Sequence, residues 1–224
     1  MRNIINIIKF DIINKKVQLI IGSGIVLFFI MQLSIFWRWI PSEFIFIPII
    51  CVVLLVSLIS TIVRFMKCIS ADEGRLVFLV PIKGWEFLSA KYVGFILEGI
   101  WFIILTCLGC IITGGKISLL LITSVSVLWG FLILFLLVST LSIIYKSYFN
   151  NNGICIVLVA ISIIIFGGVT SILELISYVA LPSIYLIIGE NLEINLFNIF
   201  IDIIIFAGLI YMSVNHIDKK LDII

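Results

Sequence analysis

The chain has little charge and almost no histidine: 12% of its 224 residues are Asp, Glu, Lys or Arg, and His216 is the single histidine. So small a charged fraction excludes a soluble domain, which needs a solvated surface. One histidine excludes a His-based metalloprotease pair, and neither a G-x-x-x-x-G-K-[ST] phosphate loop nor a G-x-S-x-G nucleophile turn occurs. Any energy for work on a solute must therefore come from elsewhere. No basic cluster interleaved with aromatics is present, so a nucleic-acid partner is not expected. The five cysteines are odd in number and lie in or beside apolar runs. Cys107-x-x-Cys110 has no second pair, which favours packing over metal or redox chemistry.

What is present is apolar. Hydrophobic residues make up 63% of the chain and the mean hydropathy is +1.39, the composition of an integral membrane protein. Six runs approach the roughly 20 residues needed to cross a bilayer. They cover Val17 to Trp37, Phe44 to Val63, Val93 to Ile112, Ile117 to Tyr145, Ile154 to Ile172, and Leu196 to Val214. The fourth is long enough to tilt. The last contains Asp202, but a dozen or so apolar residues at about −0.3 to −0.6 kcal/mol each outweigh an aspartate at about +3. The first run follows a charged segment and lacks a small-residue cleavage site, so it is expected to be a permanent span.

Residues 1–16 carry Arg2, Lys9, Lys15 and Lys16 among isoleucines. Ile4, Ile8 and Ile12 recur at helical spacing, with Lys15 intruding on their face, which predicts a helix lying on the inner surface. With the N-terminus inside, twelve basic residues are internal: Arg2, Lys9, Lys15, Lys16, Arg64, Lys67, Arg75, Lys83, Lys91, Lys146, Lys219 and Lys220. Only Arg38 and Lys116 are external. The positive-inside rule then predicts that both termini are cytoplasmic. Trp37, Trp39 and Trp85 fall near the expected interfaces.

Two intervals do not fit a plain span. Ser70 to Tyr92 carries Asp72, Glu73, Arg75, Lys83, Glu86 and Lys91 around the short apolar block Leu76 to Val80, punctuated by Pro81 and Gly84. It predicts a short surface helix, a bend, and a helical turn entering the third span. Ser171 to Asn195 is moderately apolar but interrupted by Glu174, Pro182, Gly189, Glu190 and Glu193, which predicts outer re-entrant or surface-lying short helices. No internal repeat is evident, which weighs against inverted-repeat transporters.

Glu73-Gly74-Arg75, then Leu79-Val80-Pro81-Ile82-Lys83, then Ala90-Lys91 resemble the segment between spans two and three of type-2 ABC transporter permeases, the peptide-exporting lantibiotic and bacitracin types above all. Val80 and Lys83 stand where leucine and serine are common in that family. The ending Tyr211 to Ile223, a last span followed by a basic pair, is similar to the family's closing pattern. The resemblance implies an all-α fold of six membrane helices, with an inner-surface N-terminal helix, a cytoplasmic coupling helix between spans two and three, and re-entrant helices between spans five and six. It implies a second permease subunit, identical or paralogous, and a cytoplasmic ATPase pair in which ATP and magnesium are bound. This chain would itself be non-catalytic and hold no cofactor. The coupling residues so implied are Asp72, Glu73, Gly74, Arg75, Pro81, Lys83, Trp85 and Lys91. The implied cargo is an antimicrobial peptide or another hydrophobic molecule, moved across a bacterial cell membrane for export or self-immunity.

Lys91, Gly94, Glu98 and Gly109 share nearly one helical face, a polar and small-residue stripe expected to point at protein. Glu98 reads either as part of a translocation path or as a packed, paired structural group. Glu174 and Asp202, with Glu190 and Glu193, are candidates for an acidic outer exit, although topology alone also leaves the outer side short of positive charge. Gly22-Ser23-Gly24 and Gly167-Gly168 are expected as helix-packing or kink sites. Two other readings of the chain remain open: an ion-gradient-driven transporter or channel with Glu98 and Asp202 as ion sites, and a membrane anchor or immunity protein.

Overall fold

In the computed structural model, residues 2–35, 41–69, 84–149, 151–180, 185–187 and 193–220 are described. They form seven helices: α1 (Arg2–Asn14), α2 (Lys16–Ile35), α3 (Ser42–Ile69), α4 (Gly84–Thr113), α5 (Ile117–Tyr148), α6 (Asn152–Ala180) and α7 (Leu196–Lys220). Two three-residue strands, β1 (Tyr185–Ile187) and β2 (Glu193–Asn195), lie between α6 and α7. Five helical stretches are long and apolar enough to cross a membrane: Phe44–Ile69, Gly84–Thr113, Ile117–Tyr148, Gly153–Leu173 and Ile199–Ile217. The stretches Ile7–Asn14 and Lys16–Gln32 meet at 58°, and make a sixth if the bent pair is one span. Helices are the form such runs must take, because hydrocarbon offers backbone amides and carbonyls no partner outside the segment. The chain is an α-helical, membrane-embedded protein.

Two compact units divide it, residues 1–135 and 136–224. In the first, α4 packs against α1, α2 and α3. Its glycines allow close approach. A Cβ added at Gly22 would lie 2.8 Å from the Phe102 ring, and one at Gly109 would lie 2.6 Å from Ile30 Cγ1. Gly22 thus meets the packing role expected of its small-residue patch, whereas Gly24, Gly167 and Gly168 have nothing within 4 Å of such a Cβ.

Aromatic packing joins α3, α4 and the middle of α5. Phe135 meets Phe65 at 6.0 Å, Tyr92 at 5.0 Å and Phe95 at 5.8 Å between ring centroids. Tilted and edge-to-face rings at these distances are favourable beyond their buried area. A second cluster, Val26, Ile30, Phe46, Phe102 and Leu120, fills the other end of the unit. Helix α4 stops where Gly114 takes φ +76°, with Gly115 N–H bonded to the Cys110 carbonyl and Gly114 N–H to that of Ile111. This is the Schellman arrangement, and glycine enters the left-handed region without a Cβ penalty.

In the second unit, hydroxyls join the end of α5 to its neighbours. Thr140 Oγ1 is 2.5 Å from Ser213 Oγ on α7, and Tyr145 Oη is 2.5 Å from Ser162 Oγ on α6. The interval 171–195 departs from expectation. Among the described residues, in place of re-entrant or surface-lying short helices, Ser171 to Ala180 continues α6, and β1 pairs antiparallel with β2 in the register Tyr185 with Asn195 and Ile187 with Glu193. The stretch SILELISYVA contains no glycine or proline, so the one charge of Glu174 does not end the helix. Beyond it, Tyr185-Leu186-Ile187 has the bulky side chains that favour extended backbone.

Candidate functional site

The helical pair α1 and α2 breaks at Lys15, and the bend turns that lysine inward. Its Nζ donates to Glu98 Oε2 at 2.6 Å and to Thr61 Oγ1 at 2.6 Å, tying together α1, α4 and α3. Thr61 Oγ1 in turn donates to the Ser57 carbonyl at 2.8 Å, so one donor reaches the backbone and its oxygen stays available to Lys15. One step toward the N-terminus, Lys91 Nζ donates to both carboxylate oxygens of Asp11 at 2.8 and 2.7 Å. The same ammonium lies 5.6 Å from the centroid of the Phe87 ring, within cation–π range.

The spacing within each helix lets both ion pairs form at one junction. Asp11 on α1 and Lys15 at its end are four apart, linked by a 3.0 Å bond from Lys15 N–H to the Asp11 carbonyl, and Lys91 and Glu98 are seven apart, two turns, on α4. Each pair of positions falls on one face of its helix, so acid then base on α1 meets base then acid on α4. Both ion pairs are sheltered: the side chains of Lys15 and Glu98 are 8% and 4% exposed, those of Lys91 and Asp11 7% and 16%. At such burial a lone charge would be strongly disfavoured, and each charge here has its counterpart. One atom is left over. Glu98 Oε1 is buried and accepts no hydrogen bond.

These charges lie at the edge of a cavity of about 810 Å³ between the α1–α2 bend and α4. Lys16 and Ser23 also line it, and the rest of its walls are mostly apolar, with Leu19, Ile20, Leu27, Leu97 and Trp101 prominent. Trp101 Nε1 donates to Ser23 Oγ at 3.1 Å, which fixes the indole along the wall. Leu27, Leu97 and Trp101 are each about half exposed, so the cavity opens sideways on the apolar surface of the unit.

Among the residues expected from the sequence, Glu98 and Lys91 come together here and Gly94 lines the same cavity. Lys91 is not on a free surface for a docking partner: its ammonium is turned into the junction with α1. Trp85 is exposed, on the first turn of α4. Asp72, Glu73, Gly74, Arg75, Pro81 and Lys83 lie outside the described residues, as does Glu190. Glu174 falls on α6, Glu193 on β2, and Asp202, half-buried, on α7. Asp11 and Thr61 were missed. The available signal was Asp11 itself, an acid four residues before the lysine that spoils the apolar face of α1. Among the described residues no group of three His, Cys, Asp or Glu side chains converges as metal ligands would.

Compared with protein-family models, with curated proteins and with solved structures, the chain finds no match.

Proposed function

We propose that the chain is the membrane-spanning permease subunit of an ATP-driven exporter, working with a second permease subunit and a separate cytoplasmic ATPase pair. In this reading α2 is the first of six spans and α1 the helix on the inner surface, both termini are cytoplasmic, and the chain performs no bond chemistry. The membrane is the bacterial cell membrane, and the cargo is an antimicrobial or other peptide, or a hydrophobic molecule of similar character.

One structural observation carries most of the weight. Helix α4 runs unbroken from Gly84, at the end of the segment that resembles a coupling helix, to Thr113, and along the way is ion-paired to α1 through Lys91 and Lys15. A push on the 70–83 segment would reach the spanning part of α4 along a stiff rod, and α1 would move with it. The charge asymmetry of the loops and the motif Glu73-Gly74-Arg75 to Lys83 supply the rest of the support. The apolar windows of α6 and α7 are each only 6% buried within the single chain, leaving ample face for lipid and a second subunit.

The burial of Glu98 favours a second reading, an ion-gradient-driven transporter, because an ionisable group at membrane depth is a common ion site. Co-purification separates the two. The exporter reading expects a P-loop ATPase to co-purify with the chain and its hydrolysis to depend on the chain. Solute movement in vesicles containing the purified chain alone, driven by a proton or sodium gradient, would transfer the assignment to the second reading.

A further inference from the structure

A second cavity, of about 590 Å³, lies between α2 and α3, with Phe102 of α4 behind it. Val17, Ile21 and Ile25 of α2 and Val52 and Val56 of α3 line it, and each is about half exposed or more, so it is a groove open along the apolar surface of the unit. On α2 the lining runs from Gln18 to Phe29, about 16 Å at 1.5 Å per residue. That is close to half of a hydrocarbon core about 30 Å thick, the depth of one leaflet.

The polar side chains gather at one end of the groove, where Asn14, Gln18 and Arg64 meet. Arg64 is the one ionisable residue on the lining among the described residues. It is half-buried, its Nη2 donates to the Asn14 carbonyl at 3.0 Å, and no carboxylate among the described residues is paired with it. Gln18 Oε1 accepts from Ser60 Oγ at 2.6 Å, which occupies the carbonyl side of the amide and leaves its N–H groups to spare. This end therefore offers a positive charge and hydrogen-bond donors with no acid beside them. A guanidinium so placed fits phosphate oxygens, whereas a cationic group would meet like charge.

We propose that this groove is a binding site for a phospholipid of net negative charge, such as phosphatidylglycerol. The phosphate takes the free donors of Arg64 and the Gln18 amide, and one acyl chain lies along Val17, Ile21 and Ile25 against Val52 and Val56. Phosphatidylcholine carries the same phosphate beside a quaternary ammonium, and the groove supplies no carboxylate to hold that cation. The site lies within one chain and needs no ATPase, so its failure would leave the exporter reading in place and failure of that reading would leave the site.

The test is native mass spectrometry of the full chain, released from micelles that contain dioleoyl phosphatidylglycerol and dioleoyl phosphatidylcholine in equal amounts. The expected result is one retained phosphatidylglycerol per chain, in about fivefold or greater excess over phosphatidylcholine. Arg64→Gln should abolish that excess, and Arg64→Lys should keep part of it. Val52→Trp, at an exposed position on the groove, should remove the retained lipid, while Lys9→Gln, at an exposed lysine of α1 outside the lining, should change nothing. Each variant is to keep the helical circular dichroism of the unaltered chain. No excess in the unaltered chain, an excess that survives Arg64→Gln, or one that falls equally with Lys9→Gln would mean diffuse attraction to basic residues and would overturn the site. Retention untouched by Val52→Trp would overturn the groove as its place. Displacement of the lipid by glycerol 3-phosphate as readily as by phosphatidylglycerol would overturn the part given to the acyl chain.

Discussion

Lys15 Nζ stands 2.6 Å from Glu98 Oε2 although 83 residues separate them, and both side chains are more than nine-tenths buried. The contact joins the bend between α1 and α2 to the middle of α4. Breaking a buried pair from one side is expensive because the remaining charge has lost its partner, whereas replacing both members by apolar groups is often nearly neutral. Lys15→Met should therefore destabilise the protein by about 3–5 kcal/mol, and Lys15→Met with Glu98→Leu should recover most of that loss. Unfolding in mixed micelles, followed by helical circular dichroism, measures both. Additive losses in the double variant would show that the two groups do not depend on each other.

The pair of Lys91 with Asp11 should behave as an oriented contact between α1 and α4. Asp11→Lys places two ammonium groups together and should lower stability by about 2–5 kcal/mol, with partial recovery in Asp11→Lys with Lys91→Asp. Thermal unfolding of the three variants supplies the cycle. No recovery on exchange would assign the loss to something other than this contact.

Close helix packing makes a contrast among glycines. At Gly109 a new Cβ would meet Ile30 and Phe46 within 3 Å, while at Gly208 it would meet nothing within 4 Å. Gly109→Ala should cost about 1–3 kcal/mol through overpacking, and Gly208→Ala should be neutral or stabilising by up to about 1 kcal/mol through helix propensity. Equal effects at the two positions would remove the close approach of α4 to α2 and α3.

The helical core of this architecture was legible because lipid demands it. Each apolar run read from the sequence lies within a helix that extends it, as where Phe44 to Val63 becomes Ser42–Ile69 and Val93 to Ile112 becomes Gly84–Thr113. The exception is Val17 to Trp37, followed as helix only to Ile35. The ends were less legible because helices continue past the hydrocarbon as long as no glycine or proline stops them. The same cause explains Ser171 to Ala180: of the interrupting residues Glu174, Pro182, Gly189, Glu190 and Glu193, only Glu174 falls within it, and a lone glutamate does not stop a helix. Glu98 could be singled out from its face on α4, but its partner could not. Lys15 looked like a flaw in an amphipathic face, and only the bend at that residue shows that the flaw is where the helix turns inward. Asp11 carried no local signal beyond its spacing from Lys15, since pairing across 80 residues depends on how α1 lies on α4.

The account of function depends on the side of the membrane on which the segment between α3 and α4 lies. Lys83→Cys, probed on intact cells with a membrane-impermeant maleimide against a background without the five native cysteines, reads this directly. The exporter reading predicts no labelling until the cells are opened, then strong labelling that a bound ATPase reduces. Labelling of Lys83→Cys from outside intact cells would contradict it, because no cytoplasmic ATPase could then reach the segment that is meant to move α4.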